Sequence, residues 1–394
     1  MNEHRDTVVV VGASAAGLAT ATALRRGGHE GTITVLGDEP DAGYDRPPLS
    51  KQYLTGGWAA DRLRLVSDDG LRALRLDLRG GVRAVGLDVA GRTVLDDQGD
   101  RHHYDQLVIA TGLRPRRIPA LDAVGAHVLR TLDDAARLRD RLRPGLRMLV
   151  VGAGFLGLET AATAARAGLA VTVVEPVERP LAARIGEEAS ARLLALHRAH
   201  GVVLRVGATV VDARRNGDVT IVRLSDGDEI AADVVLVAVG SVPCTEWLAG
   251  SGLDVRDGVL GDAYCAVADR VWAAGDVARW MHLGYGRHLR LEHRTNATEQ
   301  GRHVAASILG HRAPFLPVPF FWTDHFDARV QVAGIIGPDA EETREEIPGR
   351  PGAALHLFHE GGRLTAVLAW NAARELGRHR GRLLEGMTLE GAGS

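Results

Sequence analysis

Lysine is nearly missing from this chain. Of its 47 basic residues, 46 are arginine, and Lys51 is the single lysine. The two cations differ in a site, because one is a rigid planar fork and the other a compact, titratable point charge. A general preference for arginine explains the 46, and it makes the one exception informative. Cysteine is scarce as well. Cys244 and Cys265 cannot form a disulfide framework or a four-cysteine metal site, and both are expected to be structural. The histidines at His102-His103 and in Arg378-His379-Arg380 lack metal-ligand spacing with other ligands, so surface positions and no metal are expected. No apolar run approaches the ~18 residues needed to cross a bilayer. The polar start Met1–Asp6 runs straight into Val8–Val11 without a signal-peptide pattern, so a soluble, cytoplasmic protein with no membrane partner is expected. Charge of one sign is also absent. Forty-seven bases against 50 acids leave a formal charge of −3, which gives no footprint for nucleic acid. The 48 glycines follow no G-X-Y period, which excludes collagen. At about 150 residues per domain, 394 residues suggest two or three domains.

What is present is a plan used twice. Val8–Val11 leads into Gly12-Ala13-Ser14-Ala15-Ala16-Gly17, an Ala-rich helical stretch to Arg26, and the strand Thr32–Gly37 ending in Asp38-Glu39. Met148–Val151 leads into Gly152-Ala153-Gly154-Phe155-Leu156-Gly157, a helix to Ala167, and the strand Ala170–Val174 ending in Glu175. Each unit is followed by a strand closing on a small-residue turn, Ala110-Thr111-Gly112 and Ala238-Val239-Gly240. This is an internal duplication of a nucleotide-binding plan. A further apolar strand, Val271–Ala274, runs into Gly275-Asp276. From Pro314 the composition changes, and Phe320-Phe321-Trp322 opens what reads as a separate α+β domain. Its tail places Arg374, Arg378 and Arg382 on one helix face, a solvated one by expectation.

The second turn is the stronger dinucleotide signal. Gly152 permits the tight turn, Gly154 admits a pyrophosphate to the backbone N–H groups, and Gly157 lets helix and strand pack closely. Glu175, 23 residues after Gly152, suits the free hydroxyls of an adenosine ribose and repels a 2′-phosphate, so NADH is favoured over NADPH. In the first turn Ser14 holds the middle position, where its hydroxyl could donate to phosphate, and Asp38 supplies the acid 26 residues after Gly12. Two dinucleotide sites in one chain point to FAD plus a nicotinamide.

Tyr44-Asp45-Arg46-Pro47-Pro48-Leu49-Ser50-Lys51 resembles the YDRPPLSK signature of FAD-dependent, NADH-linked ferredoxin reductases that serve bacterial P450 and ring-dioxygenase systems. The resemblance runs through nearly the whole chain, including Leu129-Arg130-Thr131, Ala274-Gly275-Asp276, Asn296 to Gln300 and Phe321-Trp322-Thr323-Asp324. It implies an α/β fold with two Rossmann-like dinucleotide-binding domains, as in the glutathione reductase superfamily, plus a C-terminal α+β domain. The expected division is 1–115 with 245–315 for FAD, 116–244 for NAD, and 316–394 for the last domain.

The resemblance also implies roles. Gly12, Ser14, Ala15, Ala16 and Gly17 would hold the FAD pyrophosphate and Asp38 its ribose, with Thr111 and Gly112 in the following turn. Arg46 and Lys51 would lie by the cofactor, Lys51 near the flavin N5. Ala84 would meet the adenine side, Arg130 the phosphate side, and Asp276 the ribityl chain. For NADH the residues would be Gly152, Gly154, Phe155, Leu156, Gly157, Glu159, Glu175 and Gly240, with Glu159 paired to Lys51 beside the nicotinamide and Trp322 near the flavin. Two departures stand out. Arg294 replaces a frequent aromatic at the flavin's pyrimidine end, where it would stabilise reduced flavin or point to solvent. After Arg179 the second expected arginine is displaced to Arg184. No cysteine precedes Cys244, which argues against disulfide-reductase or peroxidase chemistry at the flavin. The expected reaction passes electrons from NADH through FAD to a [2Fe–2S] ferredoxin, docked on Arg279, Arg287, Arg290 and Arg302. Reduction of rubredoxin or a quinone, and NADH sensing of the apoptosis-inducing-factor type, are the alternatives.

Overall fold

The computed structural model describes residues 5–41 and 43–385. Four valines, Val8–Val11, form β1, and each is at most 3% exposed, as expected of a strand covered on both faces of a parallel sheet. The chain continues through α1 (Ala15–Arg26), β2 (Ile33–Gly37) and β3 (Asp77–Gly80), then an antiparallel meander of β4 (Ala84–Asp88), β5 (Thr93–Asp96) and β6 (Arg101–His103). The strand β7 (Gln106–Ile109) then returns beside β1, parallel to it. The second unit repeats these steps: β8 (Arg147–Val151), α2 (Phe155–Arg166), β9 (Ala170–Glu175), α3 (Glu187–Ala199), β10 (Val203–Val206), a meander of β11 (Val210–Asn216), β12 (Val219–Leu224) and β13 (Glu229–Ala232), and β14 (Val234–Val237) beside β8. The strand orders β3-β2-β1-β7 and β10-β9-β8-β14 are the same, so the duplication reaches the topology.

The first sheet is extended past β7 by β15 (Val271–Ala273) and the strand Ala266–Ala268, which come from beyond the second unit. The chain therefore leaves the first sheet, builds the second, and returns. Its two crossings, Leu113–Pro115 and Ser241–Pro243, pair antiparallel with each other. Helix α4 (Arg294–Ile308) then packs on α1. Their approach depends on Gly301, where a Cβ would come within 2.4 Å of the Ala16 carbonyl oxygen, and Thr20 donates to the carbonyls of Ala16 and Gly301.

The last segment is a five-stranded antiparallel sheet in the order β16 (Phe320–His325), β17 (Ala328–Gly334), β20 (Arg363–Trp370), β19 (Ala354–Glu360) and β18 (Glu341–Glu346), followed by α5 (Ala373–Glu385). One hydrophobic cluster joins it to the second unit, with Val330, Phe358 and Trp370 sharing a core with Leu158, Ile185 and Leu193. A fully buried side chain of this size contributes roughly 1.5–3 kcal/mol. Among the described residues, no helix is long and apolar enough to cross a membrane.

Candidate functional site

The carboxyl ends of β1, β2 and β7 open on a cleft, as the switch point of a parallel sheet should. It encloses about 1020 Å³, part of it open solvent, and is lined by Gly12, Ser14, Asp38, Arg46, Thr111 and Arg130 among others. The turn is closed by its own backbone. A Cβ on Gly12 (φ +119°) would sit 2.1 Å from the Ala110 oxygen, and one on Gly17 would sit 1.8 Å from the Gly12 oxygen. Ser14 is the N-cap of α1 and lines the cleft, and its side chain makes no capping bond. Ala15, Ala16 and Gly17 form the first turn of that helix. Arg46 donates to Glu39 at 2.7 Å and to the Arg130 carbonyl at 2.7 Å, while Tyr44 donates to Glu39 and accepts from the Leu132 N–H at 2.8 Å. Glu39 is thus occupied by Arg46 and Tyr44. Asp38 is exposed at the cleft's rim, as is Asp41. The Nε of Arg46 is buried without a partner, an unsatisfied donor at the cleft wall. Arg130 lies 3.6 Å from Asp276, whose carboxyl is pushed up by burial against the pull of Arg130. These features fit a bound FAD: a glycine turn at a helix start for the pyrophosphate, an exposed acid and a buried unpaired donor.

Two expected residues have protein contacts of their own. Ala84 is buried in the core with Val82, Leu107 and Ile109 and is absent from the cleft lining. Arg294, at the start of α4, donates to Asp45 at 2.5 Å and to Thr298, so its charge is spent on a carboxylate rather than left free. Cys244 does line the cleft, but burial pushes its thiol up, and Cys265 is pushed up to about 12 while accepting from Gln300 at 3.3 Å. Neither is a ready thiolate. His102 is not at the surface: it is buried at 2.8 Å from Asp96, pinning the meander of β4, β5 and β6.

The second turn has the same closure. A Cβ on Gly152 (φ +108°) would lie 2.4 Å from the Ala238 oxygen, and one on Gly157 would lie 2.0 Å from the Gly152 oxygen. Gly154 differs: a Cβ there would meet no protein atom within 4 Å. The fold does not require glycine at 154, whereas a ligand on the N-terminus of α2 would. Glu175 accepts from the Ala153 N–H at 2.7 Å and the Val177 N–H at 3.1 Å, so the carboxylate that faces the turn also braces it. Phe155 packs on Phe321 at 5.0 Å, and Leu156 is 37% exposed. Gly240 (φ +93°) is exposed, and its carbonyl accepts from the Arg116 N–H at 2.9 Å. Arg179 pairs with Glu187, and Arg184 is exposed.

Between the units lies a buried ionic junction. Lys51 follows the 3₁₀ turn Pro47–Ser50, whose two prolines preset its backbone. Its Nζ is 2.7 Å from Glu159 Oε2, with the two side chains 13% and 8% exposed. Ser50 Oγ also donates to that oxygen at 2.7 Å, and Thr323 Oγ1 donates to Oε1 at 2.7 Å. Glu159 thus reaches from α2 to the first unit and to β16 together. Trp322, half-buried, adjoins Thr323 on the opposite face of β16, near Phe320. Nothing in the local sequence announces Thr323, although the alternation of β16 sets Phe321, Thr323 and His325 on one face. Of the four docking arginines, Arg290 is held by Asp257 at 3.1 Å and Glu292 at 2.8 Å; Arg279 is half-buried, and Arg287 and Arg302 are exposed.

Comparison with known proteins agrees with this architecture. Residues 6–301 match the family described as pyridine nucleotide-disulphide oxidoreductase, and residues 320–391 match a reductase C-terminal domain. Rhodocoxin reductase of Rhodococcus erythropolis is 35% identical over 375 residues, 94% of this chain and 87% of its own. The ferredoxin–NAD(+) reductase component of the anthranilate 1,2-dioxygenase system of Burkholderia cepacia is 36% identical over 380 residues, 95% and 93% of the two chains. The reductase in the covalent putidaredoxin reductase–putidaredoxin complex superposes with a TM-score of 0.91 at 33% identity, covering 96% of this chain and 93% of that one. With its duplicated glycine turns and separate C-terminal sheet, this chain belongs to the pyridine nucleotide-disulphide oxidoreductase family.

Proposed function

We propose that the protein is a cytoplasmic FAD-dependent reductase that takes electrons from NADH and delivers them to a [2Fe–2S] ferredoxin serving a P450 or ring-hydroxylating oxygenase. The observation that carries this reading is the Lys51–Glu159 pair, a buried ion pair built from the only lysine of the chain at the point where both dinucleotide units and the last sheet meet. The relatives' names, which include rhodocoxin reductase and a dioxygenase-system ferredoxin–NAD(+) reductase component, support the direction of electron flow. FAD, when bound, supplies the conversion of a hydride pair into single electrons.

The chain's own residues bind and orient. Gly12, Ser14 and the first turn of α1 hold the FAD pyrophosphate, Asp38 its ribose, and Arg46, Arg130 and Asp276 the middle of the molecule, with Thr111 and Gly112 forming the wall. Gly152, Gly154 and the start of α2 hold the NADH pyrophosphate, and Glu175 its adenosine ribose. Phe155, Leu156 and Phe321 keep water from the reacting face, and Trp322 borders it. Glu159 fixes the Lys51 ammonium in place, where it would stand beside the flavin and stabilise its reduced form. Catalysis then rests on positioning and preset charge, with no side-chain nucleophile. The 116–244 segment serves as the NAD domain, inserted between the two FAD-binding parts. Exposed Arg287 and Arg302, with Arg279, attract an acidic ferredoxin, while the paired Arg290 contributes less.

Lys51→Met tests the reading. Removing one member of a buried pair strands the other, so Lys51→Met/Glu159→Gln is prepared beside it. Both variants should retain bound FAD and be reduced by NADH about 100-fold more slowly in stopped flow, the scale on which positioned charged and proton-handling groups act. Unchanged reduction of a fully flavinated variant would remove Lys51 from the site.

A further inference from the structure

Behind Glu159 runs a buried chain of side chains that the reading above leaves unused. Thr323 Oγ1 lies 2.7 Å from Glu159 Oε1 and 2.8 Å from His325 Nε2, and His325 Nδ1 lies 3.3 Å from His197 Nε2. Thr323, His325 and His197 are each at most 1% exposed. The chain crosses from β16 to α3 through the shared core.

The proton positions follow from counting. Glu159, paired with the Lys51 ammonium, is a carboxylate and can only accept. The hydroxyl of Thr323 has one proton, so it donates that proton to Glu159 and must accept from His325. His325 then carries its proton on Nε2, leaving Nδ1 as a lone pair. The contact with His197 in turn requires a proton on His197 Nε2. This leaves His197 Nδ1 as an acceptor, and it is the ring nitrogen found buried without a partner. An unfilled acceptor there is consistent with the assignment, since buried donors are seldom left unpaired. We propose that His197 and His325 are positioning residues: they lock Thr323 as a donor to Glu159, and so keep the carboxylate aimed at Lys51.

Both rings are kept neutral. Burial lowers His325 to about 3, helped by the Lys51 ammonium and opposed by the Leu158 carbonyl; burial, then His325 and His200, lower His197 to about 3. The other charged groups around the chain are Asp324, which faces Lys51, Glu159 and Arg329, and Arg166, which lies over the Phe326 ring that His197 and His200 flank. The polarity is reversible in principle: a proton on Glu159 Oε1 would let Thr323 turn its own toward His325 and flip both tautomers.

The inference rests on Glu159 serving the NADH site, and the experiment separates the two ideas. The histidine ring nitrogens of the FAD-loaded protein are recorded by NMR at neutral pH, without NADH, and both rings should be neutral and protonated on Nε2. A charged ring, or a proton on Nδ1 of either, overturns the proposal. Thr323→Val removes the hydroxyl that holds Glu159 Oε1, so flavin reduction by NADH should slow by about ten- to hundredfold, the worth of one hydrogen bond to a charged group. Thr323→Ser should restore the rate, and His325→Gln should slow it by less. An unchanged rate in a folded Thr323→Val protein overturns the proposal too, and the NMR result stands even if that variant fails to fold. Wild type that NADH does not reduce would instead defeat the proposed function.

Discussion

The two glycine turns are the same device with one position exchanged. Gly12 and Gly152, and likewise Gly17 and Gly157, are each required by carbonyls of their own turn or its neighbouring strand at 1.8–2.4 Å from a hypothetical Cβ. These four are demanded by the fold. The middle positions are not: Ser14 stands in the first turn, and Gly154 in the second has open space around its missing Cβ. The first turn can supply a hydroxyl to its ligand, while the second offers only bare backbone. A group bound at the first turn can gain an extra hydrogen bond, and one at the second can approach more closely. That difference suits a resident cofactor and an exchanging coenzyme respectively.

The comparison breaks hardest at the outer glycines. Gly17→Ala should leave little flavinated protein, because the added carbon meets a backbone oxygen that cannot move without opening the turn; purified variant with a full complement of FAD would show that the closure argument is wrong. The next effect separates the units by coenzyme. Glu175→Arg should weaken NADH and improve NADPH by about ten- to hundredfold in the kcat/KM ratio, since hydrogen bonds to a charged group are worth roughly 1.5–3 kcal/mol. Part of the NADH loss will be structural, because Glu175 also accepts from Ala153 and Val177; Glu175→Gln, which retains an acceptor, apportions it. A wild type that already prefers NADPH contradicts the role of Glu175. The smallest and sharpest test is Gly154→Ala. The backbone there has φ −71°, and a methyl meets no protein atom, so Tm should shift by no more than about 2 °C, while KM for NADH rises about tenfold. A fall in Tm with unchanged KM would make Gly154 structural after all.

Much of this was legible in the sequence because it is written locally. A β-branched run, a glycine turn, an Ala-rich helix and an acid follow one another within about 30 residues, and the strand orders of the two sheets bear out the duplication read from those runs. The lone lysine was legible as an exception, and the structure sets it in the pair with Glu159. What escaped depends on contacts between distant segments. His102 looked like a surface residue beside His103 because alternation in a three-residue strand is too short to read; its place is fixed by Asp96 across the meander. The partners of Glu39 were not legible either, since Arg46 and Tyr44 fold back onto it from the following loop. Arg294 reads as a free charge until Asp45, 249 residues away, neutralises it. The His197–His325 contact joins α3 to β16 across 128 residues, and no periodicity spans that distance.

The scarcity of lysine also governs how this protein can be handled and tagged. With the one ε-amine held in a buried ion pair, amine-directed crosslinkers, acylating labels and resins find no lysine on the outside of the folded molecule. Apart from the histidines, every other basic side chain is a guanidinium, so the positive surface does not fade in ordinary alkaline buffers as a lysine-rich one does. Acylation of Lys51 would accordingly report any opening of the junction around it.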